Sequence, residues 1–141
     1  MILEHAFVDT SFFVARFNRK DRNHRLASNF LESQREPDAD VLRLVLSDYV
    51  FDETVTTLRF QSRRHDVAAL AGKAILESKA FDRVSVEASV FEAAWSLFLE
   101  RPDKRWSFTD CTSFVLMENL DLRKALAFDR NFVEAGFALI P

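Results

Sequence analysis

Residues Lys104 to Met117, K-R-W-S-F-T-D-C-T-S-F-V-L-M, decide how this chain is read. Ser107 stands three residues before Asp110 and an apolar run follows. That is the pattern of a helix start: a hydroxyl accepts from a free backbone N–H, and an acid sits in the first turn. The free N–H groups and the helix dipole favour negative charge there. A helix is therefore predicted from about Phe108 to Asn119, with Cys111 as a small core residue on it rather than a nucleophile. A lone Asp in this place is an ordinary capping residue, but three further acids occupy comparable junctions elsewhere.

Outward from this stretch, helices and strands alternate. Ile2 to Val8 reads as a short strand, followed by the polar corner Asp9-Thr10-Ser11 and the apolar Phe12 to Phe17, the first half of a βα unit. A second helix is predicted from about Asn23 to Ser33, broken at Pro37 to Asp40. Val41 to Leu46 reads as a buried strand and Ser47-Asp48 as the next cap. In the helix that follows, Phe51, Val55 and Leu58 share one face. Glu53 lies on the adjoining face with Val50, Thr54 and Thr57, and Asp52 points elsewhere.

Asp66 is expected to cap a helix to Ser78 with Val67, Leu70, Ala71, Ala74 and Ile75 inward. Phe81 to Val86 reads as a strand. Glu87 to Leu99 reads as a helix with Val90, Phe91, Ala94, Trp95 and Phe98 on its apolar side, ended by Pro102. Ala125 to Phe128 forms a strand, Asn131 to Glu134 a helical turn, and Gly136 opens a last strand to Ile140. Parallel neighbours need crossover helices, so the expected fold is a three-layer α/β/α sandwich around a central, mainly parallel sheet. One domain is expected over residues 1–141.

Composition agrees with this class. The chain is 48% hydrophobic with 15 Phe, yet has only 2 Gly and 3 Pro, too few turn-formers for a protein of many hairpins. A net charge of -3 gives no overall basic field, so a nucleic-acid partner would have to be met by a local patch. The single Cys leaves no intrachain disulfide and suits a reducing compartment. No apolar run approaches the roughly 18 residues of a membrane span, and no signal-peptide pattern is present. A soluble cytoplasmic protein with no membrane association is expected.

In an open parallel sheet, ligands bind beyond the carboxyl ends of the strands. Asp9 and Asp129 each follow a strand, Asp110 starts a helix, and Glu53 lies about two turns into one. All four can face one crevice. Each also has a plain structural reading: Asp9 and Asp110 as caps, Asp129 as an Asx turn, Glu53 as an acid that wants a partner beside an apolar face. Four like charges brought together repel unless a cation offsets them, and oxygen donors suit Mg²⁺ or Mn²⁺. His5, His24 and His65 are scattered and offer no zinc set.

These residues carry a resemblance. Phe7-Val8-Asp9-Thr10-Ser11, Asp52-Glu53-Thr54, Ser107 to Phe114 and Ala127-Phe128-Asp129 resemble, in order, the acidic motifs of PIN-domain nucleases, and the VapC-like toxins of toxin–antitoxin pairs above all. The likeness spans nearly the whole chain, and Ser-Phe-Thr-Asp is its most specific part. It implies a metal-dependent endoribonuclease. Asp9, Glu53, Asp110 and Asp129 would hold one or two Mg²⁺ or Mn²⁺ ions, with Thr10, Ser11, Ser107 and Thr109 orienting the carboxylates. It also implies an RNA substrate, a homodimer and an antitoxin partner. The partner's disordered tail is expected to bring an Arg or an apolar helix to the acidic pocket.

Phosphate contacts would come from cations near the crevice: Arg16, Arg19 and Lys20, with Arg22 and Arg25; Arg63 and Arg64, with Arg59; and Lys104 and Arg105. Trp106, beside that last pair, is the better base-stacking candidate, while Phe91 and Trp95 read as core or dimer packing. A phosphatase with Asp9 as nucleophile fits poorly, because Ser11 stands where a second acid is needed. An RNA-processing nuclease that is not a toxin, and a noncatalytic RNA-binding or protein-interaction module, are the competing readings.

Overall fold

A computed structural model describes residues 2–35 and 41–141. The elements run β1 (Ile2–Val8), α1 (Thr10–Phe17), α2 (His24–Ser33), β2 (Val41–Ser47), α3 (Asp48–Ser62), α4 (His65–Glu77), β3 (Phe81–Val84), α5 (Ala88–Glu100), α6 (Phe108–Asn119), β4 (Lys124–Leu126), α7 (Asn131–Glu134) and β5 (Ala138–Ile140). The break expected at Pro37 to Asp40 lies outside the described residues.

The strands form one sheet in the order β3-β2-β1-β4-β5, and every neighbouring pair is parallel. The chain steps from β1 outward to β2 and β3, then returns across the sheet to β4 on the other side of β1. Right-handed crossovers taken in opposite directions put their helices on opposite faces. Accordingly α1 to α4 pack among themselves and α5 packs on α6, which gives the three layers. The reversal point lies between β1 and β4, and the crevice beyond their carboxyl ends is the natural ligand site of such a sheet.

Phenylalanine fills the interior. Phe7, Phe12, Phe13 and Phe132 are fully buried, and Phe12 meets Phe13 and Phe30 edge-on and Phe128 in a stack at 6.0 Å. Burying each such ring stabilises the fold by roughly 1.5–3 kcal/mol. On the other side of the sheet, Phe114 contacts the rings of Trp106, Phe132 and Phe137.

Several expectations are corrected. Helix α4 begins at His65 with Arg64 at the cap position. Asp66 sits inside the first turn, and its carboxylate binds the Arg64 guanidinium instead of capping. Leu70 and Ala74 face outward, with Leu70 65% exposed, because α4 buries only the narrow stripe Ala68, Ala71, Gly72 and Ile75 against α3 and α1. On α5, Val90 and Ala94 face inward while Phe91, Trp95 and Phe98 form an exposed aromatic stripe. Trp106 is buried against Phe114, with the Arg101 guanidinium over its ring, so it is a core residue rather than a platform for a base. The strands are also shorter than expected at Val86 and Phe128.

Candidate active site

Each acid is placed by a local device. At the end of β1 the chain turns into α1, and Asp9 caps that helix. Its Oδ2 accepts from the Ser11 backbone N–H at 3.1 Å and from the Ser11 hydroxyl at 2.7 Å. Ser11 Oγ in turn accepts from the backbone N–H of Phe128 at 2.9 Å, so one hydroxyl ties the end of β1 to the segment after β4. Asp110 belongs to a reciprocal capping box. Its N–H donates to Ser107 Oγ at 3.0 Å, and its Oδ2 accepts from the Ser107 N–H at 3.0 Å. Asp129 forms an Asx turn, its Oδ1 accepting from the Asn131 N–H at 2.9 Å.

Glu53 lies on α3 beside the buried Val50, Thr54 and Leu58. With Thr57 and Gln61, one and two turns on, it forms one wall of the crevice, while Asp52 faces away. All four acids line a single open crevice of about 740 Å³ at the reversal point of the sheet. The plain structural reading of each acid therefore holds alongside its place in the crevice: a carboxylate can cap a helix with one oxygen and present the other.

Burial makes this arrangement electrostatically costly. It pushes the Asp9 carboxyl up to about 7, and Asp110 and Glu53 add repulsion against the lowering hydrogen bonds from Ser11. It pushes Asp110 up to about 6, with Asp129 and Glu53 adding repulsion and the Ser107 N–H and Asn131 amide opposing it. Among the described residues, none of the four acids is in an ion pair. The crevice holds surplus negative charge on a set of hard oxygen donors, which fits a divalent cation. Among the described residues, no three acids close round one point as the side chains stand. Two of them are turned to a neutral partner instead, the Asn131 amide, which donates to Asp110 Oδ2 at 3.1 Å and Asp129 Oδ2 at 3.4 Å.

The other candidate residues are distributed more widely. Thr10 Oγ1 is buried without a partner, and Thr109 offers its carbonyl to the Thr112 hydroxyl at 2.7 Å. Of the ten candidate phosphate-binding cations, Arg22 and Arg105 line the acidic crevice. Arg19, Lys20 and Arg64 line a neighbouring groove of about 570 Å³ that shares Gln61 with it. Arg16 lies over the ring of Phe17, Arg63 ends α3 in a left-handed conformation, and Lys104 pairs with Glu134 at 3.2 Å. Asn131 and Arg130 were missed by the sequence reading, although both directly follow Asp129. Among the described residues no His lines the crevice, and burial pushes the Cys111 thiol up to about 11, away from nucleophilic use.

Comparison with known proteins bears on this geometry. The profile of the PIN domain matches residues 6–138. The chain is 34% identical over 131 residues to the 23S rRNA-specific endonuclease VapC20 of Mycobacterium tuberculosis, covering 93% of this chain and 94% of the relative. The crystal structure of that VapC20, described as a Sarcin-Ricin loop cleaving toxin, superposes with a TM-score of 0.80 at 33% identity, covering 94% of this chain and 96% of the other. The VapBC2 complex of Rickettsia felis bound to promoter DNA shares the fold alone, with a TM-score of 0.67 at 11% identity over 98% of both chains. Profile, identity and fold agree along nearly the full length: the chain belongs to the PIN domain family, among its VapC-like members.

Proposed function

We propose that this chain is one PIN-type nuclease domain that hydrolyses RNA phosphodiester bonds with Mg²⁺ or Mn²⁺, as the toxin of a toxin–antitoxin pair. The observation that carries the reading is the convergence of Asp9, Glu53, Asp110 and Asp129 in one crevice, two of them raised in pKa and none ion-paired with a described residue. Those four would hold one or two ions, directly or through water. When bound, the cation supplies Lewis acidity: it makes water a better nucleophile near neutral pH and offsets charge developing on the scissile phosphate. The chain's own residues then position. Ser11 fixes Asp9, and Ser107 and Asn131 fix Asp110. With no His lining the crevice, the proposed chemistry uses no imidazole base.

The similarity to VapC20 makes 23S rRNA, and its sarcin–ricin loop in particular, the first substrate to test. An antitoxin partner is proposed from the likeness to toxins that occur as VapBC complexes. A homodimer is proposed through the exposed aromatic stripe of α5, where the Trp95 and Phe98 rings stack at 5.7 Å. No helix among the described residues is long and apolar enough to cross a membrane, and a cytoplasmic location is part of the proposal.

The deciding experiment incubates purified protein, freed of copurifying partner, with total RNA in Mn²⁺, in excess chelator, and as Asp110→Asn. Discrete products that require metal and vanish in the variant are expected. Intact RNA in all three, from folded protein, would move the reading to a noncatalytic module; cleavage surviving in Asp110→Asn would remove that acid from the chemistry.

A further inference from the structure

The crevice has a second charge pattern around its acidic floor. Arg22, in the loop after α1, Arg105, in the loop before α6, and Arg130, just before α7, all line the same space as the four acids. All three are exposed, and none is in an ion pair with a described residue. Elsewhere on the surface several arginines are committed to acids: Arg43 to Asp82, Arg64 to Asp66, Arg101 to Asp103, and Arg123 to Glu118 and Asp121. At the crevice, Arg22 follows Asp21 and Arg130 follows Asp129, and neither guanidinium closes on its neighbour.

We propose that Arg22, Arg105 and Arg130 form a clamp for a single-stranded polyanion, gripping the phosphates that flank the one held over the acidic floor. This rests on the nuclease reading above and adds how its substrate is held. The argument is one of charge placement. Acids that must gather a cation repel an incoming phosphate chain, in a protein whose net charge is already -3. A substrate of that charge needs cations whose guanidinium groups are not committed to protein carboxylates. Arginine suits the task because its planar fork meets phosphate oxygens in pairs. Three elements far apart in sequence supply one such group each, so the contacts can span more than one phosphate.

The test measures binding, with cleavage silenced by chelator. A labelled single-stranded oligoribonucleotide is titrated with wild-type protein, with the triple variant Arg22→Ala, Arg105→Ala, Arg130→Ala, and with Arg123→Ala. Arg123 is a control because it lines a different cavity, with Glu4 and His5. Each phosphate contact on a single strand contributes about 0.7 to the slope of log affinity against log salt, so the triple variant should lose about 2 from that slope and about 100-fold in affinity at 0.1 M salt. Arg123→Ala should keep the wild-type slope. An unchanged slope in the triple variant, or an equal change in the control, overturns the clamp. Thermal melting confirms that the variants are folded. Metal-dependent cleavage by the wild type is scored separately: cutting with an arginine-independent salt slope refutes the clamp alone, whereas arginine-dependent binding without any cutting refutes the nuclease reading alone.

Discussion

Asp9 condenses the tension in this molecule into one side chain. The residue is 3% exposed and caps a helix, and burial pushes its carboxyl up to about 7 from an ordinary 3.8. A folded-state pKa above the unfolded one means stability that is fully present below about pH 4 and is lost as pH rises through 7. A shift of about three units corresponds to at most about 4 kcal/mol. Asp9→Asn keeps an oxygen to accept from Ser11 and removes the charge. In chelator at pH 8 it should therefore melt above wild type, by on the order of 5 °C, and lose that advantage at pH 4. Scanning calorimetry across pH checks this; equal melting temperatures at pH 8 would refute the burial cost. Added Mn²⁺ should raise the wild-type melting temperature at pH 8 and leave Asp9→Asn nearly unmoved.

At the scale of elements, α6 carries a structural task and the proposed chemical one at its first turn. Ser107→Ala removes the hydroxyl that accepts from the Asp110 N–H but leaves the Ser107 N–H that holds Asp110 Oδ2. Loss of such a cap costs about 1 kcal/mol, so denaturant melts should show that loss while cleavage stays within about tenfold of wild type. A variant with wild-type stability would refute the cap. This helix start was legible in the sequence because capping is local: Ser107, Asp110 and the apolar run are contiguous. The end of β1 at Val8 and Glu53's helical face were legible for the same reason, whereas β3 and β4 stop two residues short of their apolar runs. Helix periodicity gives an apolar face but not what covers it. The stripe of Phe91, Trp95 and Phe98 was therefore read only as an apolar side, with Phe91 and Trp95 open between core and dimer packing, and α5 packs through the smaller Val90 and Ala94. Trp106 failed in the opposite direction, because its burial depends on Phe114 and Arg101, and no local rule brings those together. Asn131's bond to Asp110 spans 21 residues and has no sequence signal beyond its place after Asp129.

For the whole molecule, the largest unexplained feature is that aromatic stripe, half-exposed and continuous through Phe108 with Tyr49. Exposed apolar groups gathered this way mark an interaction surface. The homodimer proposed through it predicts that wild-type protein sediments as a dimer at micromolar concentration and that Trp95→Glu with Phe98→Glu sediments as a folded monomer. Wild-type protein that is monomeric throughout would refute the dimer.

The hydroxyl of Ser11 also joins parts of the chain that are made far apart in time. It donates to Asp9 and accepts from the Phe128 N–H 117 residues further along, and β1 is flanked by β2 on one side and by β4 on the other. A growing chain can pair β1 with β2 early, but that central strand keeps a bare edge until β4 emerges. Asp129 and Asn131 leave the ribosome later still. Until then the four acids proposed to hold the metal are one member short, so the proposed nuclease site is completed only by the last part of the chain to be made.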